Sequence, residues 1–300
     1  MSRPTSAPAA RRRRPRWPAF ALLLPALLLM GIVFAGAMLT FARYGFNRFV
    51  DGHLEPAFTF EAYTAFLGDP YYWQVIGRTF SLALEVTAIT LLLAYPLAYA
   101  IATVRRPALR QTLLLLTFMP LLVSAVVKSY AWMILLSRQG FLNWIVIGLG
   151  LSEDGLDLTL GRSGVVIALV HVFIPFMVLP ILGVLTKRDP SLKAAAHDLG
   201  AGSLRVFFTI TLPMSARGIA SGVQIVFTLC LTAFTIPALI GGGRVMTLPT
   251  FIYQRTLDTN WPMAAAASFF LMASCIVVSM VVSKLADRFA SGGKEQAHDV

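Results

Sequence analysis

The segment Ala194-Ala195-Ala196-His197-Asp198-Leu199-Gly200, followed ten residues after the glycine by Ile210-Thr211-Leu212-Pro213, is small and mildly polar, yet it lies between two long apolar runs. Lys187, Arg188, Lys193, Arg205 and Arg217 bracket it. Basic residues that flank apolar spans are retained on the cytoplasmic side of a membrane, so the segment reads as a cytoplasmic docking element. Asp189-Pro190 is a helix start, because a carboxylate caps free amides and proline suits a first turn whose N–H would be unpaired anyway. Gly200 is the matching stop, since glycine takes the left-handed conformation after a last helical residue. The expected helix, Pro190 to Leu199, is about 15 Å long at 1.5 Å per residue. Its alanines give a slim face that fits a groove on another protein, with the flanking charges orienting the docking. Leu204, Phe207, Phe208 and Leu212 follow as an apolar stripe at helical spacing that anchors the segment to the membrane helices, and Pro213 stops it before the next span.

Outward from this segment the chain is mostly lipid-compatible. Hydrophobic residues make up 57% and charged residues only 13%, and mean hydropathy is +0.73, which places the chain among integral membrane proteins. A hydrocarbon layer about 30 Å thick takes about 20 apolar helical residues to cross. Such stretches occur near 18–42, 77–103, 111–137, 164–186, 216–240 and 261–284, and predict an all-α protein with six membrane spans. Pro96, Pro120, Pro175, Pro180 and Pro237 lie inside them. Each removes a backbone hydrogen bond and can kink its helix, which suits a bundle whose helices bend to open and close.

The net charge of +11 is distributed by topology. Of the 25 Lys and Arg, 17 fall in 1–16, 104–110, 187–217 and 284–300, which are alternate connections, so both termini are expected in the cytoplasm. The run Arg11 to Arg14 therefore needs no nucleic-acid partner to explain it. Residues 1–16 form a basic tail without periodicity and 286–300 a second tail. A cleaved leader has an apolar core of about 7–15 residues; the apolar stretch Ala19 to Ala42 is longer and reads as a retained span. On the outer side, 43–76 is rich in aromatic residues and suggests short helices at the membrane surface, while glycines in 138–163 break any long helix there.

Four polar residues lie inside apolar stretches: Glu85, Lys128, His171 and Gln224. Ionisable groups at membrane depth demand a partner or water. Counted along straight helices, Glu85 and Lys128 both stand about 26 Å above the cytoplasmic ends of their spans. Two readings stay open: a pair lining a solute path, with His171 and Asp258 contributing, or an ion pair that packs two helices. Gln224 reads as interhelical packing. Cys230 and Cys275 fall inside spans as small apolar residues. No Ser-His-Asp, Cys-His or metal-ligand cluster emerges, and no G-x4-G-K-[S/T] phosphate loop is present.

The opening segment resembles the signature E-A-A-x3-G-x9-I-x-L-P of the membrane subunits of ATP-binding cassette importers. Ala195, Ala196, Gly200, Ile210, Leu212 and Pro213 match it, and Ala194 stands where the signature has glutamate. Further stretches look like the permeases of spermidine/putrescine-type importers: Asp69-Pro70-Tyr71-Tyr72-Trp73, Tyr95-Pro96-Leu97-Ala98-Tyr99, Pro175 to Pro180, Phe234 to Gly242 and Asp258-Thr259-Asn260-Trp261-Pro262. The resemblance covers about residues 55–285. It implies a type I importer permease fold in a bacterial inner membrane, with Ala194, Ala195, Ala196, His197, Asp198, Gly200, Arg205, Ile210, Leu212 and Pro213 coupling it to an ATPase. It also implies a second, similar permease (a different chain or a second copy), two ATPase subunits that hold ATP and Mg, and an extracytoplasmic solute-binding protein. Relatives of this architecture are thought to carry polyamines, opines, aminophosphonates, ferric iron or thiamine; a polyamine ranks first on resemblance alone. The contrasting class is a membrane enzyme or assembly factor with no ATPase partner.

Cysteines introduced at Asp198 and Ser291 are expected to react with membrane-impermeant thiol reagents only from the cytoplasm, and those at Asp51 or Asp157 only from outside. Labelling of position 198 from outside would remove the docking assignment.

Overall fold

A computed structural model describes residues 17–150, 158, 161–187 and 191–295, with side chains for all but 17–22, 193, 194, 197 and 285–295. The tail 1–16, Asp157, the Asp189-Pro190 helix start and residues 296–300 lie outside the described residues, as do the side chains of Ala194 and His197. Helix α1 (Trp17–Gly45) leads to a hairpin of β1 (Arg48–Val50) and β2 (His53–Glu55). Asp51 and Gly52 make its two-residue turn with φ of 49° and 81°, the left-handed pair that matches the twist of a hairpin. Surface helix α2 (Glu61–Gly68) precedes α3 (Pro70–Thr103). The expected 77–103 span begins seven residues early because Asp69 accepts the Tyr71 amide at 2.8 Å and Pro70 fills the first turn.

The expected 111–137 span is not one helix. Helix α4 (Pro107–Phe118) runs into a 3-10 turn, Met119–Leu122, and α5 (Ala125–Leu136) starts afresh from Ser124, whose hydroxyl accepts the Val127 amide at 3.3 Å. The two parts, 107–122 and 125–148, meet at 106°. Pro120 ends α4, since the following residues cannot continue the hydrogen-bond ladder across it. Helix α6 (Phe141–Gly148) follows, then α7 (Arg162–Leu185), α8 (Ser191–Asp198), α9 (Ser203–Val206), a widened π turn (Phe207–Thr211) and α10 (Leu212–Leu231). The chain closes with α11 (Thr235–Ile240), α12 (Leu248–Leu257) and α13 (Trp261–Glu295).

Two further expectations at 213–240 are corrected. Pro213 does not stop a helix. The backbone runs helically from Ser203 to Leu231, and the π turn, in which the Leu212 amide reaches the Phe207 carbonyl, makes room in the ladder where proline has no N–H to give. The apolar run 216–240 is likewise two helices, because Pro237 sits in the first turn of α11 rather than kinking a continuous span.

Contacts fix how the spans run. Arg162, at the start of α7, meets Glu85 and Ser81 of α3. At the other ends, Tyr95 and Tyr99 of α3 meet Ser215 and Phe207, beside the place where Gly218 of α10 lies against Pro180 and Ile181 of α7. Helices α3 and α7 therefore point the same way, so the chain must return across the membrane between them. The bent pair is that sixth crossing, alongside the five helices among the described residues that are long and apolar enough to span.

The core is built for close approach. Ala83, Ala94 and Ala98 of α3 pack with Ala168, Leu169, Met177 and Ile181 of α7 and Val226 and Leu231 of α10. In lipid there is no hydrophobic drive between helices, so small residues that let backbones touch supply the attraction by dispersion. The α7–α10 contact is tightest: a Cβ on Gly218 would stand 2.8 Å from the Pro180 carbonyl, and one on Gly222 would stand 2.6 Å from the Met177 sulfur. A second cluster at the α2 end of the bundle joins Phe66, Val75, Ile76, Leu248, Phe251, Ala266 and Ala267. There the buried Thr79 hydroxyl accepts the first amide of α12, from Leu248, at 2.9 Å and donates to the Val75 carbonyl at 2.7 Å.

Gly218→Ala is expected to destabilise the purified protein by about 1–3 kcal/mol, the usual cost of overpacking. Gly183→Ala, where a Cβ meets nothing within 4 Å, is the matched control and should be neutral or slightly stabilising. Thermal unfolding in detergent distinguishes them, and equal melting points would show that the α7–α10 seam is looser than described.

Candidate functional site

The α8 segment has the expected C-terminal end; its Asp189-Pro190 start lies outside the described residues. Helix α8 stops at Asp198, and Gly200 takes φ +79°. The Ala201 amide reaches back to the Ala196 carbonyl at 3.0 Å and the Leu199 amide to the Ala195 carbonyl at 3.1 Å. This is a glycine C-cap of the Schellman kind, which satisfies carbonyls the helix end would leave open.

Anchoring differs from expectation. Leu204 and Phe208 do not turn inward; they are 76% and 60% exposed, and Leu199 is 88% exposed. Val206 is buried instead, and the Phe207 ring packs edge-on against Tyr95 and Tyr99 of α3 at 5.8 and 5.7 Å. The Ser215 hydroxyl donates to the Leu212 and Thr211 carbonyls, so the Tyr95 hydroxyl, 3.0 Å away, is the donor to Ser215. The π turn rotates Phe207 inward and Phe208 outward, a shift that helical periodicity misassigned. Tyr95 and Tyr99 carried a usable signal, because their i, i+4 spacing places both rings on one helix face. Asp198 and Arg205 are exposed beside α8, while Ile210 and Leu212 are half-buried below it and Pro213 is exposed.

The four polar residues expected along a solute path are not one cluster. Glu85 pairs with Arg162, whose Nε and Nη2 donate to the same carboxylate oxygen at 2.9 and 2.7 Å while Nη1 and Nη2 reach Ser81 at 3.2 Å. Lys128 donates to the Pro120 carbonyl at 3.0 Å across the break in the third span. Among the described residues no ion pair joins Glu85 to Lys128, which corrects the depth-matched pairing. That argument assumed a straight helix over 111–137, and a bend of 106° removes the equal rise. Asp258 lies at the end of α12 against Arg255, 3.5 Å away, rather than near Glu85. His171 accepts the Trp132 indole N–H at Nδ1, 3.3 Å away. Gln224 bridges α10 to Ser279 and Ser283 of α13, as packing requires. Arg162 fell just outside the predicted span, yet a basic residue on the outer side, against the usual charge bias, was the mark of a partner within reach.

Comparison with known proteins bears on this arrangement directly. Residues 93–291 match the model of the binding-protein-dependent transport system inner membrane component. The chain belongs to that family. The permease is 31% identical to the inner membrane ABC transporter permease protein YdcU of Escherichia coli K12, over 88% of this chain and 87% of that one. It is 32% identical to the spermidine/putrescine transport system permease protein PotB of the same strain, over 85% of this chain and 88% of that one. A solved bacterial ABC transporter that imports the acidic polysaccharide alginate has the same fold, with a TM-score of 0.77 and 20% identity over 91% of this chain and 96% of that one. The permease is thus an inner-membrane transport subunit of the type I importer fold and not an enzyme.

In a double-mutant cycle read by thermal stability, Glu85→Gln and Arg162→Gln are expected to couple by about 0.2–1 kcal/mol, the range of a part-exposed pair. Glu85→Gln and Lys128→Met should add within about 0.5 kcal/mol. Stronger coupling of Glu85 to Lys128 than to Arg162 would reverse the assignment.

Proposed function

We propose that the permease is one of two subunits that enclose the path of an ATP-driven importer for a small polar solute, and that α8 is the element an ATPase subunit grips. The observation that carries this reading is the contrast within one short segment. Leu199 and Leu204 are exposed around α8, while Phe207, a few residues on, is locked against Tyr95 and Tyr99. Leu199 stands before the apolar helix Ser203–Leu231, where a large exposed apolar side chain supports a protein contact, and the adjacent aromatic lock passes a push on α8 into α3 and α10.

ATP and Mg are bound by the ATPase partners, and the basic connections keep α8 and both termini in the cytoplasm. The opposite face, with the hairpin, α2 and α12, receives solute from an extracytoplasmic binding protein, in keeping with the family description. The non-helical stretch between α4 and α5 supports a second permease beside it, since irregular backbone at membrane depth is tolerated only against protein or in a water-filled path. Similarity to PotB supports a polyamine as the first solute to test.

Gly200→Val places a β-branched residue at φ +79°, a strain of about 1–2 kcal/mol that misdirects the chain after α8. Membrane insertion should be unchanged and solute-stimulated ATP hydrolysis by the assembled transporter should be lost. Normal stimulation in an assembled Gly200→Val complex would refute the coupling role.

A further inference from the structure

Lys128 stands where a membrane span is open. It is the fourth residue of α5, just after the non-helical Val123 and Ser124, and is only partly buried. Its ammonium spends one proton on the neutral Pro120 carbonyl, which leaves the positive charge unbalanced and further N–H groups to give. His171 on α7 meets Trp132, which stands one helical turn after Lys128 on α5. Because its Nδ1 accepts from Trp132, the neutral ring carries its proton at Nε2 and is a donor there. The two side chains together offer protons and no acceptor.

Among the described residues, the carboxylates weighed for this path are committed elsewhere. Glu85 takes two N–H groups of Arg162 on one oxygen, and Asp258 lies against Arg255 at the outer end of α12. Arg162 cancels Glu85, so the uncompensated charge carried by this set is the Lys128 ammonium.

We infer that the solute carries an anionic, acceptor-rich group of the carboxylate, phosphonate or sulfate kind, which takes the Lys128 ammonium over from the Pro120 carbonyl at the break, with His171 Nε2–H as a second donor. Amines elsewhere on the solute are compatible with this. A solute whose only charges are ammonium groups meets like charge at the break. The inference rests on the importer reading and competes with the polyamine expectation that similarity to PotB supports.

The test is uptake in the native host of labelled spermidine, putrescine, 2-aminoethylphosphonate and sulfate. Four strains are compared: wild type, one lacking the permease, and ones carrying Lys128→Gln or Lys128→Arg, with permease levels checked in membranes. Deletion is expected to abolish uptake of an anion-bearing probe. Lys128→Gln should lower that uptake about tenfold or more, and Lys128→Arg, which keeps the charge, should retain most of it. Uptake of spermidine or putrescine that disappears on deletion yet survives Lys128→Gln would overturn the inference and leave the importer reading intact. Unchanged uptake of every probe on deletion, with failure of the permease to co-purify with an ATPase, would overturn both.

Discussion

The contact on which the rest of the molecule depends is the backbone approach of α10 to α7. Gly218 lies so close to the Pro180 carbonyl that a Cβ there would stand 2.8 Å from it. Lipid tails are as apolar as leucine, so helices gain nothing by hiding from them and must attract each other by dispersion at short range. The docking segment hangs between the end of α7 and the start of α10, and the seam clamps both of its ends.

Phe207 directly follows α9 and packs on two tyrosines of α3, and Tyr95 adds a hydrogen bond to Ser215 at the base of α10. Helix α3 packs along α7, pinned in its first half by the Glu85–Arg162 pair. Helices α3, α7 and α10 thus share one packed core. The π turn at Phe207–Thr211 is the device that lets a proline-containing helix start in this position while aiming one phenylalanine in and the next out.

The broken third span stands apart from this body in chemistry. A continuous helix satisfies its own backbone, whereas the stretch from Met119 to Ser124 offers carbonyls and amides to whatever is beside it. Lys128 answers one of those carbonyls from the far side of the break, and its charge makes the break a place with a preferred sign of ligand. The break at Pro120 and the aromatic lock of Phe207 therefore lie in different parts of the chain.

Hydropathy alone determined the all-α membrane class and the approximate places of the crossings, because crossing lipid is a requirement each segment meets by its own composition. Local chemistry determined the C-terminal end of α8 and its glycine cap, since a helix end depends on residues within one turn of it. Tertiary structure decided the partners. Glu85 chose Arg162 over Lys128, Phe207 rather than Leu204 or Phe208 became the anchor, and the apolar runs 111–137 and 216–240 each divided in two. Both halves of a broken span are equally apolar, so hydropathy cannot register the break. A side-chain pairing depends on how helices far apart in the chain are rotated and bent against each other, which no count along a straight helix contains.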